Sequence, residues 1–230
     1  MTADKILPFL LLVFFASALP AADAPFETAT RPPYSPPAEK SINGKRIADM
    51  RAAVQKEWKN IQFKKGGKAI EYVVSLNTDA GEIRVEFFPN EAPSHVRSFI
   101  GLAKAGFYDG LIFHRCIPGF VIQGGCPLGT GSGGPGYCVK QEFNDRKHRR
   151  GMLSMARAQP VDSGGSQFFV CVADVSRSLD QPGNRYTVFG HVTKGMDVVD
   201  RIVAAPTGRQ DRPLKPVKIK KATVSIKGAK

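Results

Sequence analysis

The sequence predicts a mainly β protein, a closed barrel covered by two helices, with one extra amphipathic helix ahead of it. Three observations lead there. The C-terminal two thirds of the chain hold many short β-prone runs separated by long Gly/Pro-rich loops, and only two segments among them carry helical periodicity. Many short strands with few helices favour closure, because closure removes unpaired edges. Upstream, Ile47, Met50, Val54, Trp58 and Ile61 recur at helical spacing between charged and small residues. A length of 230 residues suits one domain with extensions.

From the N-terminus, Ile6 to Leu19 is an apolar run too short to span a bilayer comfortably, and small residues follow it from Ala18 to Ala24. Residues 1–22 therefore read as a signal peptide cut between Ala21 and Ala24, which predicts a periplasmic or secreted protein with no stable membrane insertion after cleavage. A retained membrane anchor is the alternative. Residues 23–43 contain Pro25, Pro32, Pro33, Pro36 and Pro37 and read as an extended linker. Residues 44–66 are the helical extension, its apolar stripe expected to dock and to bury Trp58, the only tryptophan. A disordered basic leader is the competing reading of that segment.

The main domain, 67–230, opens with a β-hairpin. Tyr72 to Leu76 is β-prone, Thr78-Asp79-Ala80-Gly81 supplies a turn, and Ile83, Val85 and Phe87 alternate with Glu82, Arg84 and Glu86. Pro93 suits a first helical position, Val96, Phe99, Ile100 and Ala103 share a face, and Gly106 closes that helix. Strands are expected at Leu111–Cys116, Phe120–Gln123, Met152–Met155, Gln167–Val172 and Thr187–Val192, and a second helix from Met196 to Ala204. The last strand runs from about Val217 to Ile226, and its alternation slips at Lys220-Lys221, the sign of a β-bulge.

A formal net charge of +13 raises the question of an anionic partner. The basic residues gather in the helical extension, in Arg146-Lys147-His148-Arg149-Arg150 and in the C-terminal tail. None of these knots interleaves aromatics that could stack on bases, so they read as solvated faces and no specific nucleic acid is expected. The four cysteines, Cys116, Cys126, Cys138 and Cys171, lack metal-ligand spacing and read as structural thiols. Only Cys126 and Cys138, which bracket a glycine-rich loop, invite a bridge. That loop, Gly129-x-Gly131-x-x-Gly134, matches a dinucleotide-binding string, but Pro135 and Gly136 stand where the phosphate-binding helix would begin. The histidines have no zinc-ligand spacing, the serines no nucleophile elbow, and no carboxylate pair suggests acid–base work. No metal and no cofactor is expected.

What remains is three blocks: Phe113-His114-Arg115-Cys116-Ile117-Pro118-Gly119-Phe120-Val121-Ile122-Gln123-Gly124-Gly125, then Leu153-Ser154-Met155-Ala156-Arg157-Ala158 with Gly165-Ser166-Gln167-Phe168-Phe169, then Leu179-Asp180 leading to Tyr186-Thr187-Val188-Phe189-Gly190. In order and spacing they resemble the cyclophilin family, and the resemblance covers roughly Ile70 to Ile226, closest in pattern to exported bacterial members. It implies an eight-stranded antiparallel barrel closed by two helices and a peptidyl-prolyl cis-trans isomerase that assists folding of exported polypeptides as a monomer. By the same resemblance, Arg115, Gln123 and Phe113 are catalytic, Arg115 donating to the prolyl nitrogen. His114, Phe120, Val121, Ala156, Arg157, Ala158, Gln167, Phe169, Leu179 and Tyr186 then bind the proline-containing polypeptide. The sequence departs from the better-known pattern at Arg157, usually asparagine, at Ser178, often tryptophan, and at Tyr186, often histidine; the last two imply weak cyclosporin binding at most. A peptide-binding chaperone in which isomerisation is incidental, and a surface-binding protein using its basic flanks, are the competing functions.

Overall fold

A computed structural model describes residues 39–228; the signal-peptide reading and most of the Pro-rich linker lie outside the described residues. Helix α1 (Ile47–Trp58) comes first, followed by a small hairpin of β1 (Lys64–Lys65) and β2 (Lys68–Ala69). The remaining strands are β3 (Tyr72–Thr78), β4 (Gly81–Phe87), β5 (Arg115–Ile117), β6 (Val121–Gly124), β7 (Met152–Met155), β8 (Phe168–Cys171), β9 (Val188–Lys194) and β10 (Ile219–Ile226). Helix α2 (Pro93–Lys104) follows β4, the single-turn α3 (Ser176–Leu179) follows β8, and α4 (Met196–Val203) follows β9.

These eight strands form one antiparallel sheet in the order β10-β3-β4-β9-β7-β8-β6-β5. The expected closed barrel is corrected here: the sheet is an open half-barrel. Its two ends, β10 and β5, meet only at the isolated bridge between Ile112 and Lys218 and at flanking bonds such as Phe113 N–H to Val217 O, 3.0 Å. The overlap between the two edges is short: Gly110 N–H bonds Ile219 O, Ile219 N–H bonds Leu111 O and Phe113 N–H bonds Val217 O, and no ladder continues from there along β5 and β10. The bulge read at Lys220-Lys221 is present as a register shift between Ile219 and Lys221 against β3.

The core lies inside the curved sheet. Phe99 of α2 is fully buried and touches Tyr108, Phe168, Phe189 and Phe87 at ring-centroid distances of 4.9, 5.3, 5.5 and 5.7 Å. Val199 and Ile202 of α4 are likewise buried. Helix α1 packs against α2, burying Ile47, Met50, Val54 and Trp58. Closeness there depends on Gly101, since a Cβ at that position would stand 3.0 Å from Val54 Cγ1. The helical extension expected over residues 44–66 is shorter, ending at Trp58, and its basic end, Lys64-Lys65, instead enters the β1–β2 hairpin, where Gly66 and Gly67 both take positive φ. All four cysteines are free and buried.

Candidate active site on the outer face of the sheet

Three short strands set the geometry. Arg115 of β5 pairs with Gln123 of β6, and Gln123 pairs with Phe169 of β8, so the three side chains stand in one cross-strand row. The next row is Ile117, Val121 and Cys171. Gly125 ends β6 at φ +81° where a Cβ would meet Ser166 O at 2.3 Å, so only glycine lets the segment before β8 lie so close.

Beside the first row is an apolar cluster separate from the main core, built from Val121, Phe169, Cys171, Val175 and Leu179, with Phe120, Ala156 and Tyr186 packed on it half-buried. Tyr186 meets Phe169 edge-on at 5.7 Å. The Arg157 guanidinium lies 4.7 Å above the Tyr186 ring, held by bonds from Nε to Arg185 O (3.1 Å) and from Nη1 to Ala158 O (3.0 Å). Cation–ring contact and carbonyl tethers together fix this arginine over the cluster. Ala156 N–H donates to Gln167 O and Ala158 N–H to Ser163 Oγ, which keeps this rim in place.

Gln123 Nε2 donates to Gln167 Oε1 at 3.0 Å, and Gln167 Nε2 donates to Gly131 O and Gly133 O at 2.7 and 2.8 Å. The two amides thus form a chain reaching into the glycine-rich loop. Arg115 is half-exposed, and its Nε lies 3.4 Å from Asp211 Oδ2. His114 is 6% exposed, with no protein hydrogen bond on either ring nitrogen. Burial, helped by the Arg212 and Arg115 charges and opposed by nearby Gln167, lowers its pKa to about 4, so it is neutral near pH 7.

Phe113 is placed elsewhere. It is fully buried in the main core, edge-on to Phe168 at 6.2 Å, because its N–H is spent on Val217 and its ring packs beneath Gly124. The remaining expected residues gather around the Arg115–Gln123–Phe169 row, with His114 buried next to it and Ala158 exposed at the rim.

Two features were not read from the sequence. Asp211 reaches Arg115 from a turn where Gln210 and Asp211 both have positive φ, 58° and 56°, with no glycine to announce it. Behind Phe169, His148 stacks at 5.8 Å, its Nδ1 2.6 Å from Asp180 Oδ1 and its Nε2 2.9 Å from Ser154 Oγ, and Ser154 Oγ donates to Thr187 O. Burial lowers the His148 pKa, against an upward pull from Asp180. This Ser–His–Asp set is not a hydrolytic triad: Ser154 is fully buried and hydrogen-bonded, so no substrate carbonyl can reach it. It braces the wall of the cluster. A histidine inside Arg146-Lys147-His148-Arg149-Arg150 looks like part of a solvated basic knot, which is why the sequence hid it.

The arrangement offers an apolar recess, a guanidinium and an amide pair side by side, with no exposed nucleophile or acid–base pair. Among the described residues no group of three or more His, Cys, Asp or Glu side chains could hold a metal ion.

Comparison with known proteins agrees with this geometry. Residues 73–224 match the family model described as cyclophilin type peptidyl-prolyl cis-trans isomerase/CLD. A peptidyl-prolyl cis-trans isomerase of Helicobacter pylori is 47% identical over 148 residues, 63% of this chain and 88% of that protein. Peptidyl-prolyl cis-trans isomerase B of Bacillus subtilis is 51% identical over 124 residues, 53% of this chain and 83% of that protein. A crystal structure of a Cryptosporidium parvum cyclophilin-type isomerase superposes with TM-score 0.62 at 31% identity, covering 67% of this chain and 98% of that one. The same parasite protein has also been solved in the presence of the dipeptide Ala-Pro.

Proposed function

Because the chain belongs to the cyclophilin-type peptidyl-prolyl cis-trans isomerases, we propose that it turns X–Pro bonds by holding the proline ring in the Val121–Phe169–Leu179–Tyr186 recess while Arg115 donates to the prolyl nitrogen. The observation that carries this reading is the row Arg115–Gln123–Phe169, which sets a cation and an amide beside an apolar recess. The physical demand is specific. Amide resonance gives the X–Pro C–N bond partial double-bond character, and rotation meets a barrier of about 18–20 kcal/mol. Twisting the bond returns the lone pair to nitrogen, so a donor aimed there binds the twisted state more tightly than the planar one, and that difference is catalysis. An arginine stays charged throughout the neutral range and transfers no proton, so the rate is nearly independent of pH there. Gln123, held by Gln167, supplies a hydrogen bond to the peptide backbone.

Arg115→Ala tests the reading in a protease-coupled proline-peptide assay. The expected result is a loss of about 100-fold in kcat/KM, about 2.7 kcal/mol at about 1.4 kcal/mol per tenfold, with an unchanged unfolding midpoint. A folded variant at full activity removes Arg115 from the mechanism.

The clients are exported polypeptides, on the support of the apolar run Ile6–Leu19 and the small residues after it. Among the described residues no helix is long and apolar enough to cross a membrane. Fractionation of the producing cells with mass spectrometry of the mature N-terminus checks this: a start between Ala21 and Ala24 outside the cytoplasm supports export, and an intact Met1 inside it refutes it. Cyclosporin binds weakly, because Ser178 is exposed and small where an indole would cover the recess.

A further inference from the structure

Residues 39–61 lie outside the stretch that matches the family, 73–224, yet they contact the glycine-rich loop that Gln167 bonds. Anchoring comes first. Helix α1 is buried along Ile47, Met50, Val54 and Trp58, and Lys45 Nζ donates to Gly106 O at 2.7 Å. Just ahead of it, Ser41 to Gly44 form a tight turn, with Gly44 N–H to Ser41 O at 2.8 Å and Ser41 N–H to Lys45 O at 2.9 Å. Asn43 Nδ2 ties this turn to Asp109 O at 2.6 Å. The turn is thus held to the body of the protein on two sides.

From there the contacts run to the glycine-rich loop. Pro127 O accepts twice, from Ile42 N–H at 2.8 Å and from Ser41 Oγ at 3.1 Å. The Ile42 side chain covers Gly129 so closely that a Cβ there would stand 3.3 Å from Ile42 Cδ1. Inside the loop, Cys126 Sγ accepts from Gly131 N–H and Gly133 N–H at 3.2 and 3.3 Å, while the carbonyls of the same two glycines accept from Gln167 Nε2. Gln167 in turn holds Gln123. A glycine-rich loop has much conformational freedom to lose on ordering, so what pins it decides where its carbonyls stand.

We propose that Ser41 and Ile42 are positioning residues of the peptide groove: by clamping Pro127 and Gly129 they hold the loop whose carbonyls orient Gln167 and, through it, Gln123. This rests on the reading of Gln123 as a backbone-binding amide. Loosening the clamp weakens peptide binding and leaves the bond-rotation step, which belongs to Arg115, intact.

The full-length chain carrying Ser41→Ala and Ile42→Pro tests it. Ile42 is the second residue of its turn, where proline is well tolerated, so the change removes both the N–H and the side-chain cover on Gly129 while the turn can persist. The expected result is a three- to tenfold rise in KM for a proline tetrapeptide, kcat within twofold, and a shifted Gln167 side-chain amide resonance in the NMR spectrum. Gln123→Ala should raise KM in the same direction, and the combined variant should fall short of the product of the two. Ile42→Gly, which keeps the N–H and loses the cover on Gly129, gives a smaller rise and serves if the double variant does not fold. An unchanged KM in the folded Ser41 and Ile42 variants, while Gln123→Ala raises it, overturns the inference alone. A KM rise with an unmoved Gln167 resonance also overturns it. Gln123→Ala with unchanged KM overturns the groove reading and the inference with it.

Discussion

Phe168 and Phe169 are neighbours on β8, are almost equally buried, and belong to different parts of the molecule. The strand pleat sends Phe168 into the main core, edge-on to Phe99 and Tyr108, and sends Phe169 outward into the small cluster with Val121, Leu179 and Tyr186. The inner ring is enclosed by α2 and the sheet. The outer one sits in a smaller cluster, with His148 of the His148–Asp180–Ser154 network stacked on it and half-buried Tyr186 edge-on. Burial alone therefore does not tell a phenylalanine of the main core from one of the outer cluster. The face it occupies does.

Substitution separates the two faces. Phe168→Ala leaves a cavity in an enclosed core, at an expected cost of about 3–5 kcal/mol in a urea titration, while the fraction that stays folded keeps most of its isomerase activity. Phe169→Ala should cost less stability, about 2 kcal/mol, because its cluster can relax toward solvent, and should lower kcat/KM at least tenfold. Equal losses on both measures would erase the distinction.

His114 sharpens the same boundary, since it is the buried residue between core Phe113 and site Arg115. Its pKa is lowered from 6.5 to about 4 in the folded protein, so below pH 6.5 the unfolded chain takes up a proton that the native state refuses. The stability this neutral ring contributes is full above pH 6.5 and is lost as pH falls toward 4, roughly 3 kcal/mol in all at about 1.4 kcal/mol per pH unit. Urea midpoints at pH 7.5 and 4.5 read the effect. His114→Gln should flatten the difference; a variant that keeps the full wild-type slope assigns the acid sensitivity to other groups.

A smaller effect concerns the rim of the outer cluster. Ser178→Trp restores a large apolar cover beside Leu179, and cyclosporin affinity should then improve by about 1–3 kcal/mol in a direct titration, as expected for completing a packed, hydrogen-bonded contact. No gain would place the weakness elsewhere, with Tyr186 and the Arg157 stacked on it as the remaining difference.

Much of this was legible in the chain. Alternation in Ile83-Arg84-Val85-Glu86-Phe87, the Pro93 start and Gly106 stop of α2, and the slip at Lys220-Lys221 all depend on local periodicity and backbone preference. So does the stripe from Ile47 to Ile61. The family blocks named Arg115, Gln123 and Phe169, which adjacent strands bring into one row, and Tyr186, which meets Phe169 edge-on. Closure of the sheet depends on how far two edges more than a hundred residues apart overlap, and here the overlap is confined to the bonds around the Ile112–Lys218 bridge. Phe113 lies in the main core, beneath Gly124 and edge-on to Phe168, because of packing that its motif does not show.

By itself, then, the sequence determined most of the strands and the helices α1, α2 and α4, and which family the chain belongs to, since these follow from periodicity and from motifs read along the chain. Only the tertiary structure decided which partner each side chain meets at long range: Asp211 on Arg115, His148 behind Phe169, and Ser41 and Ile42 on the loop that holds Gln167. Each of those contacts joins segments brought together by packing, where distance along the chain carries no information about distance in space.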